Sequence, residues 1–150
     1  MKQILLVFFM MVIVSGSAFA EEQYEKFGQG RVVFSQQQLT IDVEVAVTGM
    51  QRAIGLMFRE NLGKNKGMLF DFGKDAIQRV WMKNTLIPLD ILFISEKGKI
   101  VSILKNLQPC TKAPCVIFES EEPARYMLEL NSGMSDGEKI IINQKMLLLL

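Results

Sequence analysis

Several polar side chains of this sequence stand within or beside apolar runs, where they are unusual. Asp90 lies in the run 89–94, and Glu129 has apolar neighbours in the run 124–130. A carboxylate in such a run is either buried with a partner or lines a pocket, because an unpaired buried charge is costly. The other members of the set flank the single tryptophan or follow a predicted helix. The sequence thus predicts one polar cluster, made of Arg59, Trp81, Lys83, Asn84, Asp90 and Glu129.

One interpretation of this cluster is a pocket for a small polar ligand. The ring of Trp81 could stack on a sugar or another flat molecule, while Asn84 and Asp90 hydrogen-bond its hydroxyl groups. The alternative is a buried ion-pair network, in which Asp90 pairs with Lys83 or Arg59 and fixes the register of strand and helix. In that case the cluster has a structural role and no ligand.

Catalysis is a further alternative for the same residues. Asp90 and Glu129 could act as acid and base in a hydrolase, or Lys83 could activate a Ser or Thr. These pairings have no spacing signature. The chain contains no histidine, which excludes Ser-His-Asp and Cys-His catalysis and every imidazole metal site. The sequence therefore favours a binding domain over an enzyme, with no assigned catalytic residue, cofactor or metal.

Sulfur-containing residues offer two more hypotheses. Cys110 and Cys115 are predicted to form a disulfide, which would pin a local loop and contribute about 2 kcal/mol; free or metal-bound thiols are the alternative. Met57, Met68 and Met82 could bind Cu(I), a metal that thioethers select in an oxidising compartment. Methionine is more often a filler of apolar cores, so copper binding ranks below a polar pocket.

The beginning of the chain predicts export. Residues 1–20 have a lysine, an apolar run and an Ala-Phe-Ala ending, as signal peptides do. The mature domain would be residues 21–150, periplasmic or extracellular, without a stable membrane anchor. Without the leader's single Lys, its 16 basic residues would equal its 16 acidic ones. We therefore expect a small polar molecule or an envelope protein as partner, and no nucleic acid.

Apolar periodicity predicts the elements that would position the cluster. Residues 39–47 alternate as a half-buried strand does, with residues 31–34 as hairpin partner. A helix is predicted over 49–57, capped by Thr48 and containing Gly55. Further strands are predicted at 68–72, 80–82, 89–94, 99–104, 124–130 and 139–142. Residues 146–150 would be a final strand or a frayed tail. This pattern predicts a mostly β, single-domain sandwich or barrel-like fold with one short helix.

Several separated blocks of the sequence resemble one known family. They are residues 55–60 (GLMFRE), 67–70 (GMLF), 81–85 (WMKNT), 88–91 (PLDI), the Pro-Cys-x4-Cys segment, 124–126 (ARY) and 128–131 (LELN). In this order they resemble the family called domain of unknown function 192, over residues 32–142. The resemblance implies a compact β-sandwich-like domain, often exported, with no established biochemical activity.

Overall fold

The computed structural model of the protein describes residues 26–150. The predicted signal peptide, residues 1–20, lies outside this part of the chain. Within the described residues, no helix is both long and apolar enough to cross a membrane. The elements in chain order are β1 (Gly28–Phe34), β2 (Leu39–Ala46), α1 (Gly49–Ile54), β3 (Lys66–Ala76), β4 (Arg79–Trp81), β5 (Leu89–Ile94), β6 (Ile100–Leu107), β7 (Ile117–Glu119), β8 (Ala124–Asn131), α2 (Met134–Gly137) and β9 (Leu147–Leu149).

Seven strands form the main sheet, in the order β6-β5-β8-β3-β2-β1-β9, and β4 pairs with β7 in a small second sheet. Neighbouring strands of the main sheet are antiparallel, except for the parallel pair of β2 and β3. A parallel pair needs a crossover connection, because its second strand must start at the same end of the sheet as the first. Helix α1 and residues 55–65 supply that crossover, so they lie over one face of the sheet.

The two outer strands of the main sheet are joined by the segment that precedes β9. Ile100 N donates to Gln144 O at 2.9 Å, Asn143 N donates to Ile100 O at 2.8 Å, and Met146 N donates to Gly98 O at 2.9 Å. These bonds connect the start of β6 with the approach to β9, which makes the sheet barrel-like. The expected mostly β fold is confirmed.

Two apolar clusters lie on opposite faces of the main sheet. The inner cluster collects alternate residues of β1, β2, β5 and β8 and is enclosed by the curled sheet; its members include Val32, Phe34, Ile41, Leu92, Leu128 and Leu130. The outer cluster is covered by α1, β4 and β7, and includes Leu56, Met68, Phe70, Met82, Ile91, Phe93 and Met127. Strands β5 and β8 contribute to both clusters, so they are buried on both faces.

Helix α1 is shorter than the sequence predicts. Thr48 caps it as expected, since its Oγ1 accepts a hydrogen bond from Gln51 N at 3.1 Å. The helix ends at Ile54, however, because Gly55 has a φ of +48°, a value that side chains disfavour. A Cβ at Gly55 would also lie 3.1 Å from the ring of Phe70. Gly55 therefore ends the helix against β3 and is not part of its interior.

The end of the chain also differs from the prediction. Residues 139–142 are not a strand, because Lys139 has a φ of +53° and Ile140 N donates back to Ser135 O at 2.8 Å. The final strand is β9, which pairs with β1. The sequence pattern also missed β7 and α2, which are only three and four residues long. The fold thus has two short helices where one was expected.

Gly98 provides a test of the closure between β6 and β9. Its φ is +74°, and a Cβ there would lie 2.8 Å from Met146 O. We expect Gly98→Ala to lower the free energy of unfolding by about 1–3 kcal/mol, because it adds both backbone strain and a clash. Urea unfolding measures this change. Gly49→Ala is the matched control, since a Cβ at Gly49 meets no atom within 4 Å. Equal effects of the two substitutions would contradict the role assigned to the closure.

Candidate functional site

A cleft opens where α1 and β4 cover the outer face of the main sheet. Its cavity has a volume of about 90 Å³ and continues into an open mouth. We call it the α1 cleft. The lining comes from α1 and the turn after it, from β3 and β8 in the sheet, and from β4 with the residues that follow: Arg52, Ala53, Ile54, Gly55, Leu56, Met57, Phe70, Phe72, Arg79, Val80, Trp81, Lys83, Thr85, Met127 and Glu129.

Glu129 is the one acidic side chain among the described residues that line the cleft. It lies on the interior strand β8, directly opposite Met68 of β3 and Ile91 of β5, both of which are fully buried. Its own exposed fraction is 5%. Within residues 26–150 no group donates a hydrogen bond to its carboxyl. Burial alone raises the pKa of Glu129 to about 8. The carboxyl is therefore mostly protonated at neutral pH.

Thr85 is a second polar group in the same cleft. It is buried, and its backbone N–H donates to Met82 O at 3.2 Å. No hydrogen-bond partner of its Oγ1 lies in the described part of the chain. The oxygens of Thr85 and Glu129 are not sealed from the cleft, and no described side chain or backbone group occupies them. Both O–H groups can therefore hydrogen-bond to a molecule that enters the cleft.

Trp81 and Lys83 form one wall of the cleft. The indole is 45% exposed, and the Nζ of Lys83 lies 5.1 Å from the centre of its ring. This distance allows a cation–π interaction. Among residues 26–150 no carboxylate lies within ion-pair distance of Lys83. The ammonium group is held near the mouth but remains available to an anion.

The disulfide predicted between Cys110 and Cys115 is present, and its loop supports this wall. Before the loop turns, Cys110 N donates to Met82 O at 3.0 Å. After the loop, β7 pairs with β4, and Ile117 lies opposite Trp81. Both arms of the loop are thus hydrogen-bonded to residues 79–83. The disulfide fixes these arms relative to each other, and so fixes the strand that carries Trp81 and Lys83.

Two arginines complete the charged lining, and both have partners. Arg52 donates to Val47 O at 2.6 Å and to Asp71 O at 3.0 Å. Arg79 forms an ion pair with Glu119 at 2.6 Å. The Asp71 carboxylate interacts electrostatically with Arg52, and Glu119 offsets the charge of Arg79. Lys83 therefore carries most of the uncompensated positive charge of the cleft.

Arg59 and Asn84 do not line the α1 cleft. Arg59 forms a bidentate ion pair with Glu44 of β2, beside a separate depression. Asn84 has a φ of +58°, and its carbonyl accepts a hydrogen bond from Phe58 N at 2.8 Å. Its side chain donates to Met57 Sδ at 3.8 Å, so it lies behind the cleft wall. The structure thus brings Trp81, Lys83 and Glu129 together, and places these two predicted members elsewhere.

Asp90 lies on the opposite face of the sheet from Glu129. It is paired in register with Leu130, one residue beyond Glu129, and its side chain points to the face of the inner cluster. The carboxylate accepts hydrogen bonds from Ser135 N at 2.9 Å, Ser135 Oγ at 2.6 Å and Asn106 N at 2.9 Å. Burial disfavours its ionisation, but these bonds outweigh burial and hold the pKa of Asp90 below its usual value.

Two interpretations of Asp90 are therefore wrong. Asp90 pairs with neither Lys83 nor Arg59, and instead clamps the start of α2 to β5 and β6. It also cannot act with Glu129 on one substrate, because the sheet itself separates the two carboxyl groups. The pleat of a strand sends neighbouring positions to opposite faces, and β8 obeys this rule throughout.

The methionines proposed for copper are mostly core residues. Met68 and Met82 are buried in the outer cluster, while Met57 lines the cleft and accepts the hydrogen bond from Asn84. Among the described residues there is no cluster of His, Cys, Asp or Glu that could hold a metal ion. Cu(I) binding stays an untested prediction, and the burial of two of its three ligands favours a packing role.

Sequence reasoning missed Thr85 and Arg52 as cleft residues. Thr85 had no strand-like signal, because β4 ends at Trp81 and residues 82–85 form a turn in which Asn84 has a positive φ and Thr85 N donates to Met82 O. Arg52 had no signal either, because its position depends on where the crossover helix packs. That packing follows from the parallel pairing of β2 and β3, which the local sequence does not show.

Comparisons with known proteins identify relatives of uncharacterised function. The family model of domain of unknown function 192 (DUF192), described as an uncharacterised ACR, matches residues 31–148. A solved structure from Sinorhizobium meliloti 1021, provisionally named a transcription regulator, shares 36% identity with a TM-score of 0.74; the match covers 82% of this chain and 95% of the other. A protein of unknown function from Novosphingobium aromaticivorans DSM 12444 shares 29% identity with a TM-score of 0.72, over 81% and 84% of the two chains. No curated protein matches the chain.

The clamp formed by Asp90 can be tested by mutation. We expect Asp90→Asn to lower the free energy of unfolding by about 2–4 kcal/mol, since an amide nitrogen would face backbone N–H donors. Chemical denaturation measures the change. Asp136→Asn is the control, because Asp136 lies on the adjoining helix α2 but is exposed. A tolerated Asp90→Asn would show that these hydrogen bonds do not support the fold.

The raised pKa of Glu129 predicts a specific pH dependence of stability. Between pH of about 4.5 and 8 the folded chain keeps the Glu129 proton while the unfolded chain releases it. Stability should therefore fall as pH rises, by up to about 1.4 kcal/mol per pH unit. Glu129→Gln should remove this slope and be more stable than the parent at pH 8. Unfolding curves across this range test it, with exposed Glu121→Gln as control. An unchanged slope in Glu129→Gln would contradict the assignment.

Proposed function

The chain belongs to the DUF192 family of uncharacterised proteins, and from the geometry of the α1 cleft we propose that it is an exported domain that binds a small polar molecule. The observation that carries this proposal is the buried carboxyl of Glu129, which opens on the cleft and lacks a partner among the described residues. A desolvated polar group at the bottom of a cleft gains the most from a ligand that hydrogen-bonds to it.

The remaining lining fits a ligand with both polar and apolar surface. Thr85 adds a second hydroxyl in the interior, while Phe70 and Met127 supply apolar walls. Trp81 offers an exposed ring at the mouth, on which the flat C–H face of a sugar-like molecule could stack. A few polar groups that converge within a mostly apolar lining are typical of small-molecule sites.

Hydrolysis by two carboxylates has less support. Asp90 faces away from the cleft. Among the described residues that line the cleft, Glu129 is the one with a carboxyl group. A binding site requires only groups that hydrogen-bond and pack, which the cleft supplies. The geometry therefore favours binding over catalysis.

An envelope protein is the second candidate partner, and one surface feature favours it. Val116 and Ile117 are exposed by 65% and 58%, and Ile117 lies beside Trp81 on the small sheet. A small apolar patch at the mouth could contact a protein. This patch does not involve Glu129 and Thr85 inside the cleft, so the small molecule remains the leading proposal.

Export forms part of the proposal. A disulfide is typical of oxidising compartments such as the periplasm or the extracellular space. The predicted signal peptide at residues 1–20 agrees with that location. The name of the Sinorhizobium meliloti relative suggests gene regulation, but a formal net charge of +1 gives no electrostatic support for nucleic-acid binding.

Ligand binding can be tested with a panel of sugars and small metabolites. The chain has a single tryptophan, so its fluorescence reports directly on the mouth of the cleft. We expect at least one compound to change this fluorescence and to raise the melting temperature. Thr85→Val should lower the affinity for that compound about tenfold, because the loss of one hydrogen bond costs about 1.4 kcal/mol.

Thr40→Val is the matched control, because Thr40 is exposed on β2 away from the cleft. Its affinity should equal that of the parent. If no compound binds, or if Thr85→Val binds as tightly as Thr40→Val, then the α1 cleft is not the ligand site.

A further inference from the structure

We propose that the ligand is a small organic acid, whose carboxylate enters the α1 cleft and lies among Lys83, Thr85 and Glu129. This inference rests on the proposed ligand-binding function and narrows it to one chemical class. Three features of the cleft support it: the sign of its charge, the hydrogen-bonding character of its interior, and its size.

The charge of the cleft at neutral pH is positive. The charged or titratable side chains that face Glu129 from the packed elements are Arg52 of α1, Arg79 of β4 and Lys83 after β4. Glu119 offsets Arg79 and Asp71 partly offsets Arg52, but among residues 26–150 no carboxylate forms an ion pair with Lys83. A neutral ligand would leave the charge of Lys83 uncompensated, and an amine would be repelled by it. An anion is attracted to it.

The interior of the cleft offers hydrogen-bond donors. Glu129 is largely protonated at neutral pH because burial raises its pKa to about 8, so its O–H can donate. The hydroxyl of Thr85 can donate as well. Hydrogen bonds from neutral donors to an anionic oxygen are stronger than those to a neutral one. A carboxylate has two oxygens and can accept a hydrogen bond from both groups.

The size of the cavity limits what can enter. Its volume of about 90 Å³ is well below the roughly 150 Å³ that accommodates benzene in an engineered cavity. A carboxylate and the atom that bears it fill most of this space. The body of the acid then lies in the open mouth, against the exposed ring of Trp81.

Matched ligands test the chemical class directly. Glucuronate, glucose and glucosamine share one ring, and benzoate, benzamide and benzylamine share another. In each set the members differ in carrying an anionic, a neutral or a cationic group. At pH 6.5, calorimetry with the full purified protein should show the carboxylate of at least one set binding tenfold or more tightly than its neutral analogue. The amine should bind most weakly.

Variants test the positions assigned to the carboxylate. Glu129→Gln keeps a hydrogen-bond donor but cannot ionise, so binding at pH 6.5 should stay within about threefold of the parent. The parent should lose about tenfold in affinity between pH 7 and 9 as Glu129 ionises, and Glu129→Gln should not. Lys83→Gln should lower the affinity for the organic acid about tenfold. Lys112→Gln, an exposed lysine on the disulfide loop, should leave the affinity unchanged.

The outcomes separate this inference from the proposed function. Glucose could bind as tightly as glucuronate, or benzamide as tightly as benzoate. If Thr85→Val then lowers the affinity for that neutral compound, the cleft binds ligands but the organic-acid class is wrong. Loss of acid binding in Glu129→Gln would also overturn the class, because it would show that the ionised carboxylate is required. If none of the six compounds binds, the inference fails, and the wider panel with Thr85→Val decides the proposed function independently.

Discussion

Strand β8 is buried from Tyr126 to Leu130, because β3 and β5 pair with its two edges and the inner and outer clusters cover its two faces. Leu128 and Leu130 fill the inner cluster, while Met127 belongs to the outer one. A shift of register by one residue would exchange these faces and move Glu129 into the inner cluster. The position of Glu129 is thus fixed by the main sheet as a whole.

This placement has a cost for the fold. A carboxyl group without a partner between two buried neighbours lowers stability at neutral pH, where an apolar residue of similar size would increase it. Sites that depart from the otherwise consistent pattern of a core are often functional. Here the departure coincides with an open cleft, a supported aromatic wall and unpaired positive charge. The same features would be hard to explain in a strand that served packing alone.

The sequence predicts the fold well where periodicity is strong. The alternation in β2 and the apolar runs of β5 and β8 identify those strands and mark Glu129 as unusual. Prediction from the sequence fails where the position of a side chain depends on pairing between distant segments. The parallel β2–β3 pair places Arg59 beside Glu44, and the register of β5 with β8 places Asp90 on the other face. Neither of these two placements has a local sequence pattern. Six residues were therefore expected in one cluster, whereas three of them line the cleft.

The account depends most directly on the protonation state of one side chain. An NMR titration of the glutamate side-chain carboxyl carbons, with Glu129→Gln to assign the signal, measures it. The structure predicts that Glu129 titrates near pH 8 in the free protein. A Glu129 carboxyl that is already ionised at pH 6 would contradict the buried, unpaired state on which both the cleft and its proposed ligand class rest.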